Sequence, residues 1–110
     1  MKNVLIIGAG RSATVLINYI LEAARQNNFF VTVADANPEQ AQRKVAGHSH
    51  GRGTWLDASR PIDRREIIQR HDVVVSLLPP QMHIEVAQDC VQLGKHMVTA
   101  SYVSKQVFRL

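Results

Sequence analysis

The chain of 110 residues holds a single cysteine, Cys90, so no disulfide can form within it. That is the usage expected of a reducing compartment, and cytoplasmic residence is the expectation. No apolar run approaches the roughly 18 residues that a membrane span requires, which excludes a membrane partner of that kind. The opening Met-Lys-Asn is followed by only four apolar residues before Gly8, so a buried strand is read there and not a signal peptide. Aromatic residues make up 5% of the chain, and none is interleaved with Arg60, Arg64, Arg65 and Arg70. Those arginines alternate with Asp57, Asp63, Glu66 and Asp72, the pattern of a solvated helix face, and no nucleic acid is expected as partner. The five histidines include His48 and His50 in one loop, but no cysteine or carboxylate stands at a spacing that completes a site, so no metal is expected. A Gly-x-Ser-x-Gly elbow and a Walker lysine are both missing, which argues against a hydrolase and a P-loop NTPase.

What is present begins at residues 4–13, Val-Leu-Ile-Ile-Gly-Ala-Gly-Arg-Ser-Ala. An apolar strand runs straight into a Gly-x-Gly-x-x-Ala turn and then a helix. Gly8 permits the tight turn, and Gly10 lets the main chain approach a pyrophosphate with no Cβ in the way. Ala13 is small enough for the helix to lie close on the strand. The N–H groups around Arg11, Ser12 and Ala13 point at the anion, aided by the positive end of the helix dipole. The net charge of +4 suits an anionic dinucleotide as partner, and equally an acidic partner domain outside these residues.

Downstream, strands alternate with helices. Strands are read at 3–7, 29–34, 54–57, 73–78 and 95–100, and helices at 12–26, 38–46, 62–70 and 81–93. Asn37 is placed to cap the second helix, with Pro38 at its first position and Gly47 at its end. The segment 47–53 reads as a glycine-rich loop. In the last helix Ile84, Ala87 and Val91 share a face, and Cys90, with no adjacent base, reads as a packing residue. The pattern predicts one α/β domain over residues 1–110: a Rossmann-like doubly wound parallel sheet in the order 3-2-1-4-5, with helices on both faces. A complete sheet of this kind adds a sixth strand, so the chain is expected to be the N-terminal part of a longer enzyme.

Asp35 closes the second strand 22 residues after Ala13, where an acid accepts hydrogen bonds from an adenosine ribose, unless it merely ends a strand. A carboxylate there favours a free 2′-hydroxyl over a 2′-phosphate, so NAD is expected in preference to NADP, with Arg43 and Lys44 placed to soften the choice. Asp57 either borders the adenine pocket or is an acid in a surface turn. Leu77, Leu78 and Pro79 finish the fourth strand at the crevice, where Pro79-Pro80 also serves as a strand stop.

The runs at 4–13, at 72–83 (Asp-Val-Val-Val-Ser-Leu-Leu-Pro-Pro-Gln-Met-His) and at 95–104 (Lys-His-Met-Val-Thr-Ala-Ser-Tyr-Val-Ser) together resemble the N-terminal NAD(P)-binding domain of the saccharopine dehydrogenase family. The last run is the most specific. The resemblance implies an oxidoreductase of lysine metabolism that interconverts saccharopine, glutamate and an aminoadipate semialdehyde, or acts on related amino-acid adducts, by hydride transfer. It implies that Gly8, Gly10, Arg11, Ser12 and Ala13 hold the pyrophosphate, Asp35 the ribose and Asp57 the adenine edge. Leu77, Leu78 and Pro79 would flank the nicotinamide ribose, while Thr99, Ser101 and Tyr102 approach the nicotinamide and the substrate. In NADP-using members a neutral or basic residue commonly stands at the position of Asp35, and this sequence departs from them there. No proton-donor role goes to Tyr102, because a tyrosine titrates at about pH 10 and no lysine is placed to lower it. The family also carries a C-terminal substrate and dimerisation domain, so these residues alone are expected to bind cofactor without turning over. The alternative is a non-catalytic module sensing NAD and NADH, against which the run from Thr99 to Ser104 speaks.

Overall fold

The computed structural model describes residues 1–10 and 13–99. Its elements, in chain order, are β1 (Lys2–Ile7), α1 (Thr14–Asn27), β2 (Phe29–Asp35), α2 (Pro38–Val45), β3 (Gly51–Trp55), α3 (Pro61–Gln69), β4 (Val73–Ser76), α4 (Pro80–Leu93) and β5 (His96–Thr99). The five strands form one parallel sheet in the order β3-β2-β1-β4-β5, as the alternation predicts. Register follows from pairing β1 on both sides: Ile7 stands opposite Ala34 of β2 and opposite Ser76 of β4. The carboxyl ends of the three central strands therefore lie at one level.

β1 sends alternate side chains to opposite faces, and each face is covered. Val4 and Ile6 pack with Ile17, Leu21 and Ala24 of α1 and Ala41 and Val45 of α2. Leu5 and Ile7 pack with Ile67 and Ile68 of α3 and Val86 and Cys90 of α4. Leu5, Ile6, Ile17, Leu21 and Ile68 are fully buried, each stabilising the fold by about 1.5–3 kcal/mol relative to exposure. Local signals set the helix ends. The Asn37 side chain accepts from the Gln40 amide at 3.2 Å with Pro38 at the first turn, and Asn28 closes α1 in the left-handed region at φ 58°.

Three readings change. β3 covers Gly51–Trp55, so part of the expected glycine loop is strand. α2 lies so close on β3 that a Cβ on Gly53 would run into the backbone of Ala41 and Gln42, and one on Gly51 into Leu21. The glycines serve close packing of a helix, not a loop. In α4 the buried residues are Val86, Asp89 and Cys90, whereas Ile84 is 63% and Val91 81% exposed. The arginines are not a uniformly solvated face either. Arg64 is buried, and its Nε donates to Asp89 Oδ2 at 2.5 Å across the α3–α4 contact. Cys90 is buried as expected, and its burial, followed by the Asp89 charge, pushes the thiol up to about 11. No helix among the described residues is long and apolar enough to cross a membrane.

His71, buried just past α3, has Nδ1 at 2.7 Å from the Ile67 carbonyl, which accepts from the neutral ring. Burial lowers its pKa below the ordinary 6.5, against a smaller upward pull from that hydrogen bond. The neutral ring thus stabilises the fold fully above the ordinary value, and this contribution is lost as pH falls through the depressed folded value. Urea unfolding between about pH 7.5 and pH 5 is expected to show wild type losing stability more steeply than His71→Gln. Parallel curves for the two would remove His71 as the cause.

Candidate functional site

The turn after β1 is tied down from both sides. Gly8 adopts φ +107°, and a Cβ there would stand 3.3 Å from the Leu77 backbone. The Gly8 amide donates to the Ala34 carbonyl at 2.8 Å, and the Leu77 amide donates to the Ile7 carbonyl at 2.9 Å. Asp35 completes the fastening: its Oδ1 accepts from the Ala9 amide at 2.9 Å and its Oδ2 from the Asn37 amide at 3.0 Å. One carboxylate therefore joins the glycine turn to the start of the β2–α2 connection.

Beyond this anchored part the turn opens. Gly10 is exposed, and a Cβ on it would meet no atom of the other described residues within 4 Å. Ala13, 5% exposed, donates its amide to the Gly10 carbonyl at 3.0 Å and leads into α1. Ala13, at the N-cap of α1, offers no capping side chain, and the first turn carries no acid. A helix start whose first turn carries no acid is suited to an anion through the positive end of its dipole.

Around this turn the structure gathers most of the expected residues. Leu77 packs against the α1–α2 side of the core, Leu78 against the α3–α4 side, and Pro79 precedes α4. Thr99 ends β5 opposite Ser76. The Leu56 amide donates to the Asp35 carbonyl at 2.9 Å, which ties the residue before Asp57 to the end of β2. Asp57 lies beyond β3, in a turn. The Ser59 hydroxyl and amide donate to its Oδ1 at 2.6 and 3.0 Å and hold its carboxyl below the ordinary value. Arg11, Ser12, Ser101 and Tyr102 lie outside the described residues.

Two features went unread in the sequence. The Lys44 ammonium donates to the Thr14 hydroxyl, and with Asn18, Gln40 and Arg43 they line a groove of about 480 Å³ between α1 and α2. At the end of β4, Ser76 Oγ and His83 Nδ1 stand 2.6 Å apart. The only available signal for that pair was a histidine placed seven residues after a strand-ending serine.

Comparison with known proteins agrees with this geometry. The model of the saccharopine dehydrogenase NADP binding domain matches residues 4–110. A saccharopine dehydrogenase [NADP(+), L-glutamate-forming] of Pyricularia oryzae is 31% identical over 99% of this chain and 23% of its own. An alpha-aminoadipic semialdehyde synthase of Arabidopsis thaliana is 31% identical over 99% of this chain and 12% of its own. The apo saccharopine dehydrogenase (L-Glu forming) of Saccharomyces cerevisiae superposes with a TM-score of 0.80 at 27% identity, covering 93% of this chain and 22% of that one. The chain thus spans less than a quarter of the length of these relatives.

The expected preference for NAD over NADP is corrected by these matches, since the matching family model is specifically an NADP-binding domain. Asp35 has a structural task at this position: each of its oxygens accepts one main-chain amide, from Ala9 and Asn37, so an acid after β2 is needed to fasten the turn and does not by itself report a choice of NAD. Cationic groups for a phosphate are available on α2 at Arg43 and Lys44. With the turn, the sheet order and the match over residues 4–110 in agreement, the chain belongs to the saccharopine dehydrogenase family, as its NADP-binding domain.

Proposed function

We propose that this chain is the cofactor-holding domain of an amino-acid oxidoreductase that transfers hydride between NADP and a saccharopine-type substrate. The observation that carries the reading is the opened turn: Gly10 is exposed, no described atom lies within 4 Å of a Cβ placed on it, and the helix that follows carries no acid in its first turn. Gly8, Gly10 and Ala13, with Arg11 and Ser12, hold the pyrophosphate. Asp35 keeps the turn in shape beside the adenosine ribose, and Asp57 borders the adenine edge. Leu77, Leu78 and Pro79 flank the nicotinamide ribose, and Thr99, Ser101 and Tyr102 approach the nicotinamide and the substrate. The bound dinucleotide supplies the hydride chemistry, while the protein binds and orients it.

Relatives place more than three quarters of their length outside the matched region, and substrate binding is proposed for that part. The 110 residues alone are expected to bind but not to turn over. Calorimetric titration with NADPH and NADH tests this: NADPH is expected to bind one to one and at least about tenfold tighter, which corresponds to about 1.4 kcal/mol. Saccharopine with NADP should give no rise in absorbance from NADPH. Binding of neither nucleotide would reject the cofactor role, and turnover would reject the assignment of substrate binding to another domain.

A further inference from the structure

Ser76 is fully buried at the end of β4, between Ile7 of β1 and Thr99 of β5. Only Leu77, Leu78 and Pro79 separate it from α4, whose first turn carries His83. Three residues of helical rise put the His83 Cα only about 5 Å along the axis from Pro80, at the strand-end side of the helix. The 2.6 Å contact with Ser76 Oγ occupies Nδ1. Nε2 makes no hydrogen bond to any described residue. A histidine fixed through one nitrogen presents the other in a defined direction, which is how a ring is prepared for a ligand.

The sheet order says which part of a dinucleotide meets it. Asp35 ends β2 on the adenosine side and the glycine turn ends β1 at the pyrophosphate. The next strand in order is β4, under the nicotinamide half. We propose that His83, oriented by Ser76, binds the nicotinamide half of the dinucleotide through a hydrogen bond from Nε2 to the ribose hydroxyls or the carboxamide. This rests on the reading of the crevice as a dinucleotide site. Ser76 is then a positioning residue that acts through the ring.

Titration of the chain with NADPH and with adenosine 2′,5′-bisphosphate, which lacks the nicotinamide half, separates the possibilities. His83→Ala is expected to weaken NADPH by about 3- to 10-fold, the size of one hydrogen bond, and to leave the bisphosphate within about twofold. His83→Gln, whose amide reaches the Nε2 position, recovers part of the loss, and Ser76→Ala falls between wild type and His83→Ala. Equal weakening of both ligands by His83→Ala would assign the pair to the packing of α4 and overturn the proposal. So would unchanged binding of NADPH. A wild-type chain that binds neither ligand overturns the dinucleotide site itself, a result distinct from either.

Discussion

Gly10→Val is expected to abolish NADPH binding, lowering affinity by about 100-fold or more, while the melting temperature stays within about 2 °C of wild type. The separation of the two effects follows from what surrounds the residue. A Cβ on Gly10 meets no atom of the other described residues within 4 Å, and its φ lies outside the left-handed region, so an L-residue is expected there without backbone strain. The same empty space is where the pyrophosphate is proposed to approach the main chain, and a valine fills it. Gly8→Val behaves differently. There φ is +107° and the added carbon stands 3.3 Å from Leu77 backbone atoms, so stability falls by about 2–3 kcal/mol along with binding. Calorimetry with NADPH and thermal unfolding of both variants resolve the two patterns. NADPH affinity retained in Gly10→Val would place the cofactor away from the turn.

The sheet order was legible because its signals are local. The apolar strands, the Asn37-Pro38 start of α2 and the Gly8–Gly10 turn each depend on neighbours in sequence, and each takes the form those neighbours dictate. Where the reading went astray, the deciding atom belongs to a distant element. Gly51 and Gly53 looked like loop because nothing nearby shows that Leu21 of α1 will press on the first and α2 on the second. Periodicity picked the more apolar stripe of α4, Ile84, Ala87 and Val91, yet the stripe turned inward contains Asp89 because Arg64 waits there. Asp35 is the same lesson at the candidate site. An acid after β2 has a standard meaning for cofactor choice, and sequence could not show that the Ala9 amide, 26 residues away, and the Asn37 amide hold both of its oxygens.

Arg64→Met is expected to destabilise the fold by about 3 kcal/mol, the typical consequence of removing one partner from a buried ion pair. For a chain of this size that lowers the melting temperature by roughly 10–20 °C. Arg64 and Asp89 each leave only 6% of the side chain exposed, with Nε and Oδ2 2.5 Å apart. Arg64 Nη1 also donates to the Ala58 carbonyl at 2.9 Å and to Glu85 at 3.1 Å. The variant leaves a buried carboxylate facing a thioether. Arg65, whose Nη1 lies 3.1 Å from Asp89 Oδ1 and whose side chain is 38% exposed, compensates only in part. The double variant Arg64→Met, Asp89→Leu removes both charges and is expected to recover most of the loss, since an apolar pair of similar volume fills the same contact. Salt discriminates further: the exposed pairs Arg25–Glu22 and Arg60–Asp63 are screened, whereas the buried pair is screened much less. Unfolding of the single and double variants by urea, at low and high salt, closes the cycle. A loss below about 1 kcal/mol for Arg64→Met would show that Arg65 alone neutralises Asp89. The full loss would show that the α3–α4 seam, and with it the first turn of α4 that carries His83 beside the crevice, is held by a charge pair at a place where the sequence offered an apolar stripe.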